Sequence, residues 1–213
     1  MSSNFLEALA GTQLYPLTDT RLSHLSHAEQ IAQLSQLGVR IIQFRDKTLS
    51  AREFHREAAE ALRVARDVGV KLIINDRVDI ALALGADGVH LGQEDLSPEA
   101  ARQLLGSKAI IGLSTHNLEQ AGLGASQPID YVAIGPIFST STKDKPDPEV
   151  GLGVLRRVRE IVGKTPLIAI GGITSTNGSE VIDSGADAIA VISDLWSATN
   201  PAVAYAKWLH SRP

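Results

Sequence analysis

Apolar residues in this chain fall in short runs, and between the runs the apolar positions recur at helical spacing. Runs rich in β-branched residues lie at Leu14–Thr18, Val39–Phe44, Val70–Ile74, Gly88–Leu91, Ala109–Leu113, Tyr131–Ile134, Leu167–Ile170 and Ala188–Ile192. Most are continuously apolar, the pattern of strands covered on both faces. Ala28–Leu37, Ala51–Val68 and Leu152–Val162 carry the helical period, and "AVAYAKWLH" near the C-terminus predicts a last helix. Strands alternating with helices predict a parallel sheet. An open doubly wound sheet usually carries a Gly-rich turn after its first strand, whereas this first strand runs into "LTDTRLS". Eight strands therefore predict an α/β fold of the closed (β/α)8 TIM-barrel type. It is expected to form a single domain over residues 1–213, with 1–12 as an N-terminal extension.

Two segments, "LGADGVHLGQ" and "SGADAIAVIS", share Gly-Ala-Asp before a strand. Glycine at the left-handed position after a helix stops it and turns the chain, so these glycines read as helix caps. The longest irregular stretch, Gly135 to Gly151, is long for a compact domain, and such loops are more often functional than idle.

With 213 residues the chain is long enough for a full core. It has no cysteine, which excludes disulfides and thiolate metal sites and fits a reducing compartment. No secretory signal is evident at the N-terminus, and no apolar run approaches the roughly 20 residues of a membrane helix. A formal net charge of −4 argues against bulk binding to nucleic acid or anionic lipid. The expectation is a cytoplasmic protein acting on small molecules, without nucleic-acid or membrane partners. A homo-oligomer is compatible with the sequence, which does not set the oligomeric state.

In a (β/α)8 barrel the active site is built from the loops after the strands. Those loops here hold Gln43, Arg45 and Lys47; Asn75 and Asp76; Gln93, Glu94 and Asp95; Ser114 and His116; Thr140, Ser141, Thr142 and Lys143; Gly171 and Gly172; and Ser193. Asp76 and Asp95 each follow an apolar run and could be helix N-caps. Arriving at the same rim from adjacent strands, they would instead repel unless a cation sits between them. Oxygen ligands with room for water and phosphate suit Mg²⁺, and no His or Cys cluster suggests zinc. In "QFRDK" the alternation puts Gln43, Arg45 and Lys47 on one side and Phe44 on the other. This reads either as an anion site or as a surface pairing with Asp46. Gly171 and Gly172 fall where these barrels commonly bind phosphate. His90 reads as a packed, hydrogen-bonded core residue and His116 as a rim residue that could be a base.

The strings "QFRDK", "IINDRVDIALALGADGVHLGQEDL", "IIGLSTHN", "DYVAIGPIFSTSTK" and "AIGGI" together resemble the thiamine phosphate synthase family, in its order and near its spacing, over almost the whole chain. The resemblance implies a transferase that joins hydroxymethylpyrimidine diphosphate to hydroxyethylthiazole phosphate and releases thiamine phosphate and diphosphate. It implies that Gln43, Arg45, Lys47, Asn75, Ser114 and Lys143 hold the pyrimidine diphosphate, with Arg45, Lys47 and Lys143 assisting the chemistry. Asp76 and Asp95 would bind Mg²⁺. Thr140, Ser141, Thr142, Gly172, Ile192 and Ser193 would receive the thiazole phosphate. Asp194 departs from the small residue usual in the family and is expected to point away from that phosphate. A thiazole tautomerase-like paralogue and a non-catalytic phosphate-binding barrel stay open as alternatives.

Overall fold

The computed structural model describes residues 3–9, 11–140 and 148–210. Eight parallel strands follow one another round a barrel: β1 (Leu14–Pro16), β2 (Ile41–Phe44), β3 (Lys71–Asn75), β4 (Gly88–Leu91), β5 (Ile110–Thr115), β6 (Tyr131–Ile134), β7 (Leu167–Ile170) and β8 (Ala188–Val191). β1 pairs with β8 through Tyr15 and Ala190, and Leu17 bridges to Gln43 on β2. The Thr18 N–H donates to the Gln43 carbonyl at 2.9 Å, which closes the ring.

Helices cover the outside: α1 (Ser3–Leu9), α2 (Thr20–Ser23), α3 (His27–Gln36), α4 (Ala51–Asp67), α5 (Val78–Leu84), α6 (Pro98–Leu105), α7 (Leu118–Ala125), α8 (Gly151–Val162), α9 (Gly178–Asp183), α10 (Ser193–Trp196) and α11 (Pro201–His210). Capping boxes start α3 (Ser26 with Glu29) and α4 (Ser50 with Glu53), each satisfying otherwise orphaned N–H groups. Among the described residues no helix is long and apolar enough to cross a membrane.

Alternation along the strands sorts side chains into two cores. Ile42, Phe44, Leu72, Ile74, Val89 and Val132 point outward against the helices. Tyr15, Ile41, Ile73, Ile110, Tyr131 and Ile168 point into the barrel. The start of the chain is more than an appended extension. Phe5 and Leu9 of α1 join the inner core, and the Phe5 ring stacks on Tyr131 at 4.0 Å between centroids and meets Tyr15 edge-on at 5.5 Å. α1 thus plugs the end of the barrel where the strands begin.

That end holds a device beyond glycine capping. Asp87, Asp130 and Asp187 each stand one residue before a strand and accept the backbone N–H of Leu72, Ile111 and Leu167, at 2.9, 2.9 and 2.8 Å. Arg102 pairs with Asp130 at 2.7 Å and Arg159 with Asp187 at 2.9 Å. The repeated Gly-Ala-Asp therefore stitches neighbouring strands as well as ending helices, and Asp130 adds a third copy without the glycine. Asp130 is buried, so Asp130→Ala would strand both the Ile111 N–H and the Arg102 charge. Such a loss should lower stability by about 3 kcal/mol and leave ligand affinity at the opposite rim unchanged, as chemical denaturation and equilibrium binding would show.

Candidate active site

At the other end of the barrel the strand-to-helix loops enclose a cavity of about 550 Å³. The inward positions of β2 to β5 near the rim are polar: Gln43, Asn75, His90 and Ser114. Those of β6 to β8 are small or apolar: Ala133, Ile168, Ile170 and Ala190, with Ile192 just beyond. One half of the cavity therefore offers hydrogen-bonding and charged groups and the other a largely apolar wall. Arg45, Lys47, Asp76, Asp95, Thr140, Gly172 and Ser193 also line it, so the structure brings together eleven of the fourteen residues singled out from sequence. Ser141, Thr142 and Lys143 lie outside the described residues.

Neither acid caps a helix. α5 has Arg77 at its N-cap position and no side-chain cap, and α6 is capped by Ser97. Asp76 instead adopts φ 63°, a left-handed conformation that aspartate tolerates better than most residues. Its N–H donates to the His90 carbonyl at 2.8 Å, which ties it to β4. Asp95 accepts the Gly92 N–H at 2.7 Å. The two carboxyls come within hydrogen-bonding reach of each other. Burial first, and then the Asp76 charge, raise the Asp95 pKa above the usual carboxylate value. Lys47 forms an ion pair with Asp76 across the β2 and β3 loops. A cation is thus already drawn to this point. Among the described residues no third His, Cys, Asp or Glu joins the two acids as a metal cluster. Two carboxylates leave the other positions to water and phosphate oxygens, which fits Mg²⁺ rather than a metal needing a full protein cage.

Arg45 does not pair with Asp46. Asp46 accepts hydrogen bonds from Thr48 and Leu49, and its other oxygen faces His27 at 3.5 Å. His27 Nδ1 contacts Thr18 Oγ1 at 2.7 Å, and the same hydroxyl accepts the Arg45 N–H at 3.1 Å. This buried set holds the β2 loop, so Arg45 projects into the cavity from a fixed backbone. Burial lowers the Arg45 pKa, opposed by the charges of Asp19 and Asp76; a guanidinium stays charged regardless.

Opposite, Gly171 (φ 99°) and Gly172 (φ 64°) lie against the β6 loop: the Phe138 N–H donates to the Gly171 carbonyl at 3.0 Å. These glycines are needed for that close approach, a requirement separate from any ligand. α10 begins at Ser193 with no side-chain cap, and its Leu195 N–H turns back to the Ile192 carbonyl at 3.2 Å. Asp194 accepts the Ser175 N–H at 3.2 Å and does not line this cavity. His116 is occupied structurally, its Nδ1 bound to the Gly135 carbonyl at 2.6 Å.

Sequence reasoning gave His90 a packing role and passed over the tyrosines. His90 is buried between Tyr131 Oη and Ser114 Oγ, each at 2.8 Å. Burial pushes its pKa down to about 4. The folded protein then binds fewer protons than the unfolded chain, whose histidines titrate near about 6.5. The neutral form's contribution is full above that value. It should be lost as pH falls toward about 4, by about 3 kcal/mol. Denaturation at pH 7.5 and 4.5 should show this slope, and His90→Gln should flatten it; His27, also lowered by burial, adds in the same direction.

The sequence profile described as thiamine monophosphate synthase matches residues 14–195, most of the chain and all eight strands. The chain belongs to the thiamine monophosphate synthase family. A thiamine-phosphate synthase from Koribacter versatilis is 52% identical over 158 residues, 74% of each chain. One from Chloroflexus aurantiacus is 44% identical over 182 residues, 85% of this chain and 83% of that one. The solved thiamine phosphate pyrophosphorylase from Pyrococcus furiosus has a TM-score of 0.82 at 34% identity, covering 94% of this chain and 95% of that one. Membership in this family makes the chain a transferase.

Proposed function

We propose that this barrel is a thiamine-phosphate synthase that joins hydroxymethylpyrimidine diphosphate to hydroxyethylthiazole phosphate, with its active site at the cavity described above. The observation that carries the residue assignment is the convergence of Arg45, Lys47, Asp76 and Asp95 on one half of a cavity whose other half ends in Gly172 and Ser193. A tautomerase-like paralogue would need no diphosphate and metal set, and a purely regulatory barrel no second anion site.

Asp76 and Asp95 would hold Mg²⁺, which when bound neutralises charge building on a leaving diphosphate. Arg45 and Lys47 bind the same diphosphate oxygens and stabilise that charge from the protein side. The reaction breaks the bond between the pyrimidine methylene carbon and the diphosphate oxygen, and the electron pair leaves with the diphosphate. The aminopyrimidine ring delocalises the resulting cation. The neutral thiazole nitrogen then donates its lone pair to form the new carbon–nitrogen bond. No proton has to be removed from the nucleophile, which accounts for a site rich in cations and amides but without a base dyad. Gly172, Ser193 and Thr140 hold the thiazole phosphate, and the wall of Ile170, Ala190 and Ile192 packs its ring and keeps water from the cation. Lys143, Ser141 and Thr142 are assigned to the two anions on the sequence motif alone. A cytoplasmic location follows from chemistry on free, phosphorylated small molecules. Diphosphate release that requires both substrates and Mg²⁺ is the expected assay result; release without the thiazole phosphate, or none, would defeat the reading.

A further inference from the structure

The floor of the cavity is crossed by one continuous chain of hydrogen bonds. Gln43 Nε2 donates to Tyr15 Oη at 3.4 Å, Tyr15 Oη meets Tyr131 Oη at 3.1 Å, and Tyr131 Oη meets His90 Nδ1 at 2.8 Å. His90 Nε2 then meets Ser114 Oγ at 2.8 Å. Gln43, Tyr15, Tyr131 and His90 are all more than nine-tenths buried. Their positions are specifically accommodated. Gly112 on β5 sits beside Tyr131, and a methyl group there would lie 2.0 Å from the tyrosine ring and 2.4 Å from its hydroxyl. At the ends, Gln43 Oε1 has no partner, and neither does the neighbouring Asn75 Nδ2. Buried polar atoms without partners are uncommon in folded proteins, and here both line the cavity.

Counting protons gives the chain a direction. Each tyrosine has one proton and a neutral imidazole has one N–H. With Gln43 Nε2 donating to Tyr15, every contact is satisfied when the Tyr15 proton goes to Tyr131 and the Tyr131 proton to His90 Nδ1. His90 then carries its proton on Nε2 and donates to Ser114 Oγ, so the Ser114 proton is left for the cavity. Gln43 meanwhile presents its carbonyl oxygen. Flipping the Gln43 amide while keeping every one of these bonds requires every proton in the chain to reverse, and Ser114 then turns from donor to acceptor toward the cavity. The two ends cannot change independently without leaving a buried contact unpaired.

We propose that Tyr15, Tyr131 and His90 are positioning residues that couple the Gln43 amide to the Ser114 hydroxyl and so make the site select an aminopyrimidine over the corresponding oxopyrimidine. The inference rests on the pyrimidine reading of this half of the cavity. An exocyclic amine donates to Gln43 Oε1, while Ser114 donates to an acceptor elsewhere on the same ligand. An oxo group in place of the amine faces a carbonyl oxygen, and relief requires reversal of the whole chain. A site built to hydrogen-bond one group rejects the analogue that leaves its buried atoms unpaired.

Tyr131→Phe cuts the chain at its centre while keeping the ring that stacks on Phe5. The test compares dissociation constants for the amino- and oxo-pyrimidine monophosphates, which lack the diphosphate leaving group. In Tyr131→Phe the preference for the amine should fall by at least about tenfold, because the Gln43 amide can now turn alone. The Ser114→Ala and Tyr131→Phe effects on amine binding should also fail to add, since both act on one chain. A purely structural tyrosine would weaken both ligands equally. If Tyr131→Phe does not fold, Tyr15→Phe severs the same chain one bond away. An unchanged preference in a folded variant, with normal synthesis of thiamine phosphate by the unaltered enzyme, would overturn the coupling alone. Absence of synthesis by the unaltered enzyme would overturn the functional reading and this inference with it.

Discussion

Replacing either Asp76 or Asp95 by asparagine should cut Mg²⁺-dependent turnover by on the order of 10²- to 10³-fold, while the barrel keeps its thermal stability or gains slightly. The loss follows from the site's charge. Two facing carboxylates concentrate negative charge where a cation is needed, and asparagine keeps the shape but removes one charge. The stability result separates this role from a structural one. The two acids oppose each other in the metal-free protein, and the Asp95 carboxyl is raised by burial and by Asp76. Removing one charge relieves that opposition. The two variants should differ in a further respect. Asp76→Asn also releases Lys47 from its ion pair, so it should weaken metal dependence and also let Lys47 reach the diphosphate more freely. Asp95→Asn leaves that pair intact and should show the cleaner increase in the Mg²⁺ concentration needed for half-maximal rate. Titration of activity with Mg²⁺, alongside melting temperatures measured without it, checks both. Near-normal turnover in either variant would remove that residue from the metal site.

The barrel could be read from the chain because its strands are short apolar runs with sharp polar borders. β4, β6 and β7 begin and end where the pattern placed them. Two of the misplaced strand starts share a physical cause. Val39 and Val70 look like strand residues, but their N–H groups donate back to Leu34 and Ala65, so they finish the preceding helix turn and β2 and β3 start later. β1 ends at Pro16 rather than Thr18 because the chain there passes from β8 to β2, with Leu17 bonded to one and Thr18 to the other. The rim residues were legible because loop position and strand parity place them without knowledge of packing. Gln43 and Phe44 face opposite sides as alternation requires. The same parity puts Tyr15, His90 and Tyr131 inside the barrel, yet aromatic residues in apolar runs read as core. Only the distances among their polar atoms reveal a chain of hydrogen bonds. Asp130 was hidden for a similar reason: its partners are a backbone N–H and an arginine 28 residues away.

Gly172→Ala should reduce kcat/KM for the thiazole phosphate by about 100-fold or more and cost stability, with a smaller effect on the pyrimidine diphosphate. Two separable penalties act at this position. The first is conformational: φ is 64°, and an L-residue pays about 1–2 kcal/mol to adopt it. The second is steric. A methyl group would lie 2.4 Å from the Ser139 carbonyl oxygen and 2.8 Å from Phe138 Cβ, so the backbone of the β6 loop must move. That loop carries Thr140 into the cavity and is tied to β7 through Ile137 and Phe138. Its shift would displace groups on both sides of the thiazole phosphate, whereas Arg45, Lys47, Asp76 and Asp95 stand on β2, β3 and β4 loops that the collision does not touch. Gly163→Ala provides the control. Gly163 also has positive φ, 58°, but nothing lies within 4 Å of the added methyl. It should therefore pay the conformational cost alone and leave both KM values unchanged. If Gly172→Ala lost only as much stability as Gly163→Ala and kept its thiazole KM, the close approach of the β6 and β7 loops would have no part in holding the second substrate. An equal rise in both KM values would instead mean that the cavity behaves as one pocket rather than two halves.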